Sequence, residues 1–308
     1  MAIQRYMAEN NSGSIAANVA EMSERYRQGR ASDKTIDLNA YLVARLPATY
    51  AAVHYCLREM QNRAPELLPL SMLDVGSGPG TASWASVELW PQIQAVTFLD
   101  NNARFLELAA RLSVASSNGS LQNARSELGN FLQIESAVAA DLVVAAYALA
   151  EIPVDKTGNA ARSLWQVTRH ALAIIEPGTP QGFARIRQAR ESLIELGAHI
   201  LAPCTHTTAC PMVESDWCHF SVRLPRSRDH MHAKRASVPY EDERFSYLIA
   251  SRSKVATNGL RILSPPVESK SHMGFRLCTE NGVTQQSVAK RDKAEYKRIR
   301  KAEWGDLF

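Results

Sequence analysis

The chain has no apolar run long enough to cross a bilayer as a helix, which takes about 18 to 20 residues. The nearest candidate, 137–153, is interrupted by Asp141 and Glu151. The N-terminus carries no apolar stretch of a secretory leader, and Glu9, Glu21 and Glu24 depart from the acid-poor composition of an organelle-targeting peptide. A cytoplasmic protein is therefore expected. Cysteine is scarce, with five in 308 residues, and in a reducing compartment structural disulfides are not expected. The tight C-x2–4-C knuckles of zinc fingers and ribbons are missing. There is no internal repeat and no low-complexity tract.

What remains is an ordinary globular composition, 45% hydrophobic and 21% charged. The net charge of +4 hides an asymmetry: residues 1–181 carry 14 basic and 17 acidic side chains, residues 182–308 carry 21 basic and 14 acidic. A positive field confined to one part of a molecule suits an anionic partner such as RNA. A solvated face without a partner is the plainer reading of the same numbers.

Residues 1–68 read as helical, with Pro47 expected to kink the 39–60 segment or divide it into two helices. From Leu70 the pattern changes to short apolar runs alternating with helical stretches. Strands are predicted at 71–75, 95–100, 123–126, 141–147 and 171–176, with helices at 81–90, 101–112, 157–170 and 183–197. That alternation predicts a parallel sheet with helices on both faces. A loop-rich stretch of nearly 50 residues follows, then strands at 245–251 and 275–288, the latter interruptible at Asn281-Gly282, and a basic end.

The segment LDVGSGPGTA, residues 73–82, places Asp74, Gly76, Gly78 and Gly80 at alternate positions between a strand and a helix, with Ser77 inside the turn. Side chains at the glycines would block a ligand lying over the turn, and the helix beyond offers free backbone N–H groups. The D-x-G-x-G-x-G spacing resembles motif I of class I methyltransferases, which bind S-adenosylmethionine. Asp100 ends the second strand, 26 positions on, where an acid can accept hydrogen bonds from both ribose hydroxyls; Asn101 follows it. Helix capping is the alternative role for Asp100. Tyr147, at the end of the fourth strand, would wall the transfer cleft or serve as a core aromatic. No Asn/Asp-Pro-Pro-aromatic motif follows that strand, and no catalytic base can be named.

Cys204, Cys210 and Cys218 are spaced C-x5-C-x7-C, and Cys278 follows at a distance. Thiolates are soft ligands for zinc or an iron–sulfur cluster. Wide, unequal spacing suits a cubane better than a zinc ion, while His206, His219, His230 and His232 keep a mixed Cys/His zinc site open. Four unrelated buried thiols would be the structural alternative. Cys56, among apolar residues, reads as core.

Seven basic residues lie between Lys290 and Lys301, with Tyr296 and Trp304 able to stack on bases. Phosphate contact is the reading to prefer only if these charges join Arg223, Arg226, Arg228, Lys234 and Arg235 on one face. Across most of its length the chain resembles the methyltransferase-like small-ribosomal-subunit assembly factors of mitochondria and their bacterial relatives. The resemblance is carried by RLPATYAAV (45–53), LDVGSGPGTASWA (73–85), IEPGTPQGF (175–183), APCTHTTACP (202–211), DWCHF (216–220) and YKRIRKAEWGD (296–306). It implies a 4Fe-4S cluster on Cys204, Cys210, Cys218 and Cys278, and association with small-subunit rRNA. It leaves open whether the protein methylates rRNA or only assists assembly. The adenine contact would fall between 112 and 138, and Glu127 is taken for it. The expected α/β architecture is thus a class I methyltransferase, Rossmann-like sheet with an N-terminal helical region (1–68), a cofactor-binding core (69–200), a metal-binding loop-rich insertion (201–244) and a C-terminal part with the fourth cysteine and the basic segment (245–308). Off the ribosome a monomer is expected.

Overall fold

The computed structural model describes residue 6 and residues 15–27, 37–134, 138–213, 215–255 and 259–308. The helical N-terminal region comprises α1 (Ile15–Arg27), α2 (Leu38–Ala44) and α3 (Leu46–Arg63); the rest of 1–36 lies outside the described residues. The Asp37 side chain caps α2 by accepting from the Ala40 amide at 2.8 Å. Pro47 occupies the first turn of α3, where its missing N–H leaves no intrahelical bond unmade, so it opens a second helix instead of kinking one.

The core then runs β1 (Ser71–Val75), α4 (Thr81–Leu89), β2 (Ala95–Asp100), α5 (Ala103–Val114), α6 (Gly119–Gln122), β3 (Arg125–Leu128), β4 (Ala140–Ala146), α7 (Thr157–Gln166), β5 (Thr168–Pro177), α8 (Pro180–Glu195), β6 (His199–Ala202), β7 (Phe220–Pro225), α9 (Arg228–Ala233) and β8 (Tyr240–Ser251). The strands order as β3-β2-β1-β4-β5-β8-β6. From β3 to β5 all pairings are parallel; β8 is antiparallel to both its neighbours. This is the class I methyltransferase arrangement. The chain leaves β1 toward β2 and β3 and returns to the other side at β4, so a crevice opens at the C-terminal ends of β1 and β4.

Alternation along the strands divides the apolar residues between two layers. Met72, Phe98, Leu142, Val144, Ala173 and Ile175 pack under α3 and α4. Leu73, Val75, Val143, Ala145, Leu172 and Ile174 pack with residues of α7 and α8 on the other face.

A second, smaller sheet contains β9 (Arg261–Ile262), β10 (Val267–Glu268), β11 (His272–Thr279) and β12 (Gly282–Ala289), followed by α10 (Lys293–Ile299). Ile262, Phe275, Leu277, Val288 and Ile299 form its core. The strand expected over 275–288, interruptible at Asn281-Gly282, is a hairpin that turns there. The stretch expected to be mostly loop holds β6, β7 and α9, and β8 begins at Tyr240, five residues before the expected start. The polar run YEDER gave no apolar signal because this half of β8 has β7 on one edge and alternates between exposed and half-buried. The first sheet therefore continues through the expected boundary at 244/245.

Arg261 joins the two sheets. It is 1% exposed; its Nε donates to Pro203 O at 2.8 Å, Nη1 to Gly305 O, and Nη2 to Glu59 Oε1 at 2.7 Å. One guanidinium thus holds β9, the start of the cysteine loop, the C-terminal segment and α3. An Arg261→Met variant should lose about 2–4 kcal/mol in urea denaturation, because the Pro203 and Gly305 carbonyls lose their donor while Glu59 keeps Arg63. Unchanged stability would remove Arg261 from this role.

Candidate functional site

The crevice is floored by the turn between β1 and α4. Gly76, Gly78 and Gly80 have φ of 61°, 52° and 80°, a region that side-chain-bearing residues enter at a cost. A Cβ on Gly76 would come within 2.7 Å of Ala148 Cβ, and one on Gly80 within 2.8 Å of Phe98. Those two glycines are required by the protein's own packing. At Gly78 the nearest atom would be the Tyr41 hydroxyl at 3.5 Å, so the middle of the turn is the part left open.

Asp100 organises this turn. Its Oδ2 accepts from the Gly78 amide at 2.8 Å and its Oδ1 from the Asn102 amide at 2.8 Å. The cap of α5 is Asn102, whose side chain accepts from the Arg104 amide, so Asp100 is not the N-cap. Each carboxylate oxygen keeps a second lone pair for a ribose hydroxyl. Burial pushes Asp100 above its ordinary value, against the pull of the amides. Asp74 is 2% exposed and spends one oxygen on Ser83, accepting from its amide at 3.0 Å and its hydroxyl at 2.9 Å. Burial raises it to about 7. Its visible work is to fix the first turn of α4, one step behind the crevice. Ser77 is buried in the turn, with its amide bonded to Leu99 O at 3.1 Å. Asn101 is exposed just beyond Asp100.

Glu127 is exposed on β3, in register with Leu99. The turn that follows brings the chain back to the crevice: the Gly129 amide donates to Asp100 O at 3.0 Å, and the Asn130 side chain accepts from the Leu132 amide at 2.9 Å. Asn130 was missed in the sequence; its signal was a Gly-Asn pair directly after a weak strand.

Tyr147, at the end of β4, has φ of 60°. Non-glycine residues held there are uncommon and gather at functional sites. Its amide donates to Ile175 O at 2.7 Å and its hydroxyl to Glu243 Oε1 at 2.8 Å. Arg45 Nη1 lies 3.0 Å from the same Glu243 oxygen, with its guanidinium carbon 4.2 Å from the Tyr147 ring centre. Burial first, then Glu243, pushes the phenol well up. Tyr147 is therefore fastened to β8 and to the α2–α3 junction.

The segment after Tyr147 is clipped from both sides. Glu176, fully buried at the end of β5, accepts from the Leu149 amide at 3.0 Å. Buried Arg185 of α8 donates to Leu149 O at 2.8 Å and Ile152 O at 2.9 Å. This clip sets Ala148 against Gly76. Beside it, Glu151 is exposed at the rim, yet the surrounding protein and then the charge of Asp100 raise its carboxyl to about 7.

The four cysteines come from two places, the β6–β7 loop and the second sheet, and line one recess. Cys204 follows β6, Cys210 lies in the loop, Cys218 precedes β7, and Cys278 lies on β11 of the second sheet. All four border the same cavity, together with Phe183, Met212 and Leu263. Burial raises the Cys218 and Cys278 thiols, and the neighbouring cysteines raise them further. Arg190, 3% exposed, holds the loop by donating to His206 O and Thr208 O, both at 2.8 Å. His206 Nε2 lies 3.7 Å from Cys278 Sγ. His219 stacks on Trp217, and His230 pairs with Glu241 at 3.0 Å. Among the described residues no three His, Cys, Asp or Glu side chains stand close enough to share one metal ion. Cys56 is fully buried among apolar residues, as expected.

The basic residues do not form one face. Arg223 is paired with Asp242 at 2.7 Å, and Arg226 and Lys234 share Glu241 at 3.4 and 2.6 Å. These lie with α9 against α1 and α2, at the start of α3. Arg298 and Lys301 meet Arg63 at its other end. An 18-residue helix separates the two groups by about 27 Å.

A protein family described as "mitochondrial small ribosomal subunit Rsm22" matches residues 35–308. The chain belongs to this family. It is 30% identical over 286 residues to the human mitochondrial ribosome assembly protein METTL17, covering 87% of this chain and 61% of that one. It is 25% identical over 320 residues to the mitochondrial Rsm22-cox11 tandem protein 2 of Schizosaccharomyces pombe, covering 87% of this chain and 42% of that one. The chain thus spans less than two thirds of either relative. Among solved structures it is similar to magnesium protoporphyrin IX methyltransferase from Synechocystis with bound SAM, with a TM-score of 0.45, 14% identity, and coverage of 79% of this chain and 99% of that one. The mitochondrial names of the family and of both relatives overturn the cytoplasmic expectation. The composition that led to it distinguishes a chain with a membrane span from one without, and does not tell one aqueous compartment from another.

Glu176 should give the fold a pH dependence. Burial lifts it from an ordinary value of 4.5 to about 8, with Arg185 pulling the other way. A raised carboxyl contributes stability that is complete below its unfolded value and is lost as pH rises through about 8. Relative to a Glu176→Gln variant, the wild type should lose up to a few kcal/mol between about pH 5 and pH 9. Parallel pH profiles in urea denaturation of the two proteins would exclude this.

Proposed function

We propose that the chain is an S-adenosylmethionine-binding assembly factor of the small ribosomal subunit, carrying a 4Fe-4S cluster on Cys204, Cys210, Cys218 and Cys278, and that it contacts small-subunit rRNA. Family membership supports the ribosomal role. The observation that carries the nucleoside reading is the hydrogen bond from Gly78 to Asp100, which holds the open turn and the ribose-binding acid in one rigid unit at the switch point of the sheet. Gly78, Asp100 and Asn101 would hold the cofactor directly. Asp74, Gly76, Ser77 and Gly80 would shape the turn, Tyr147 would wall the site, and Glu127 or Asn130 would stand on the adenine side.

The donor chemistry of the sulfur recess fits the cluster. Four thiols border one largely apolar cavity, and a single zinc ion would need sulfurs about 3.8 Å apart, from Zn–S bonds of about 2.3 Å. A cubane binds each thiolate through a different iron and takes a wider set. Bound there, it would fasten the β6–β7 loop to the second sheet, since metal binding and loop order are linked.

For activity, the intact turn and Asp100 support methyl transfer to rRNA, a reaction that needs chiefly alignment. One observation favours the second reading, a non-catalytic factor: the Tyr147–Glu243–Arg45 cluster occupies the end of β4, where an acceptor would approach. Mapping rRNA modifications in a deletion strain separates the two. A lost methyl group restored by the wild-type gene supports transfer; an unchanged map with immature subunits supports the assembly role alone.

Calorimetry of the purified protein with S-adenosylmethionine should show binding, and Asp100→Ala should weaken it by about 10- to 100-fold, the value of one or two charge-assisted hydrogen bonds. No binding by the wild type would end the cofactor reading. Anaerobic purification should yield a brown protein with equimolar iron and acid-labile sulfide, and Cys→Ser at any of the four positions should lose both. A colourless protein holding stoichiometric zinc would show the opposite.

A further inference from the structure

Between the C-terminal end of α3 and the C-terminal segment lies an open groove of about 460 Å³, outside both sites described above. Its floor holds two sunken guanidinium groups. The Arg63 side chain is 9% exposed and the Arg261 side chain 2%. Both pair with the same oxygen of one carboxylate, Glu59 Oε1, at 2.9 and 2.7 Å. Their other bonds go to carbonyls: Arg63 Nη1 to Leu201 O, and Arg261 to Pro203 O and Gly305 O. Carbonyl dipoles satisfy donors but cancel no net charge, so one buried positive charge is left uncompensated. Burial and then the nearness of Arg261 push Arg63 below its ordinary value, whereas against burial Tyr247 and Glu59 hold Arg261 above its own, so Glu59 serves Arg261 first and Arg63 is the cation short of counter-charge.

The rim adds to this field. Arg298 and Lys301 stand on it, the former 61% exposed, with the exposed Glu295 at 3.4 Å and the Phe308 ring centre 5.7 Å from its guanidinium carbon. Asp306 is the one further acid lining the groove, and its Oδ2 already accepts from the Glu303 amide at 2.8 Å. Among the described residues that line the groove, four cations thus stand with two carboxylates, Glu59 and Asp306, and Glu295 neighbours Arg298 outside the lining. Around α9, by contrast, Arg223, Arg226 and Lys234 each have a carboxylate within reach, Asp242 or Glu241.

We propose that this groove is a phosphate-binding site, with Arg298 and Lys301 as the contacting side chains over a fixed positive floor of Arg63 and Arg261. A tetrahedral oxyanion is what forked and flexible donors above a buried cation recognise. The RNA backbone supplies it if the assembly reading holds, and the choice of RNA as the source rests on that reading; a free small phosphate has the same chemistry.

The test uses the full chain and an Arg298→Met/Lys301→Met variant, with Arg223→Met, whose charge Asp242 already meets, as the control at the far end of α3. The substituted side chains lie on the surface, and equal thermal midpoints for the three proteins would verify their folding. Binding of a small-subunit rRNA fragment is measured over a range of salt. The groove variant should bind about 10-fold more weakly, with a salt slope reduced by about 1 to 2, the loss of one or two phosphate contacts; the control should keep the wild-type slope. Inorganic phosphate and pyrophosphate, followed by phosphorus NMR line broadening, form the second arm. A response lost in the groove variant while RNA binding is unchanged supports the site with a free phosphate as occupant. If the wild type does not bind RNA, the assembly reading fails and the phosphate arm still decides the groove. Unchanged RNA slope and unchanged phosphate response together overturn the proposal.

Discussion

The C-terminal half of the molecule depends on one strand. β8 enters the parallel sheet antiparallel, between β5 and β6, and runs on past the end of β5 to pair with β7. Its inner half completes the core through Phe245, Tyr247 and Ile249, all buried. Its outer half carries Glu243 to Tyr147 and Arg45. Because β6 and β7 both lie along it, the loop between them is anchored at both ends, and that loop holds three of the four cysteines. The crevice and the sulfur recess are therefore built on the same strand.

Helix α8 is shared in the same way. Arg185 reaches from it toward the crevice and closes the clip on 149–152, while Arg190, five residues on, holds the cysteine loop through two carbonyls. Phe183 and Ile186 of the same helix line the sulfur recess. A shift of α8 would disturb both places at once. This is a physical route by which order in the cysteine loop supports a well-formed glycine turn.

Burial of ionisable groups marks where the fold has accepted a cost. Asp74, Asp100, Glu176 and Arg261 are all nearly or fully enclosed. Each sits at a junction: Asp74 between β1 and α4, Asp100 between β2 and the glycine turn, Glu176 between β5 and the segment after β4, and Arg261 between the two sheets. Buried polar groups must be met by partners, so each fixes the position of the backbone it bonds. The geometry of the crevice follows from these few fixed points more than from the apolar packing beneath it.

Much of this was legible in the chain itself. β1 and β2 fall where their apolar runs end at Gly76 and Asp100, the helices follow their caps, and Cys204, Cys210, Cys218 and Cys278 stood out by clustering in polar sequence. The outer half of β8 did not show, because its partner β7 supplies its pairing and it buries too little to leave an apolar signal. Glu176 and Glu243 were equally silent, since each acts through partners far away along the chain, Leu149 for the one and Tyr147 and Arg45 for the other. The sequence by itself determined the layered α/β core, because strand and helix periods are local properties of neighbouring residues. Only the tertiary structure decided that four cysteines share one recess, that the basic residues split into a carboxylate-paired group and an open groove, and that Tyr147 is tied to Glu243 and Arg45. Those depend on which residues, far apart along the chain, share a dielectric environment and a counter-charge, and that is fixed only when the sheets close.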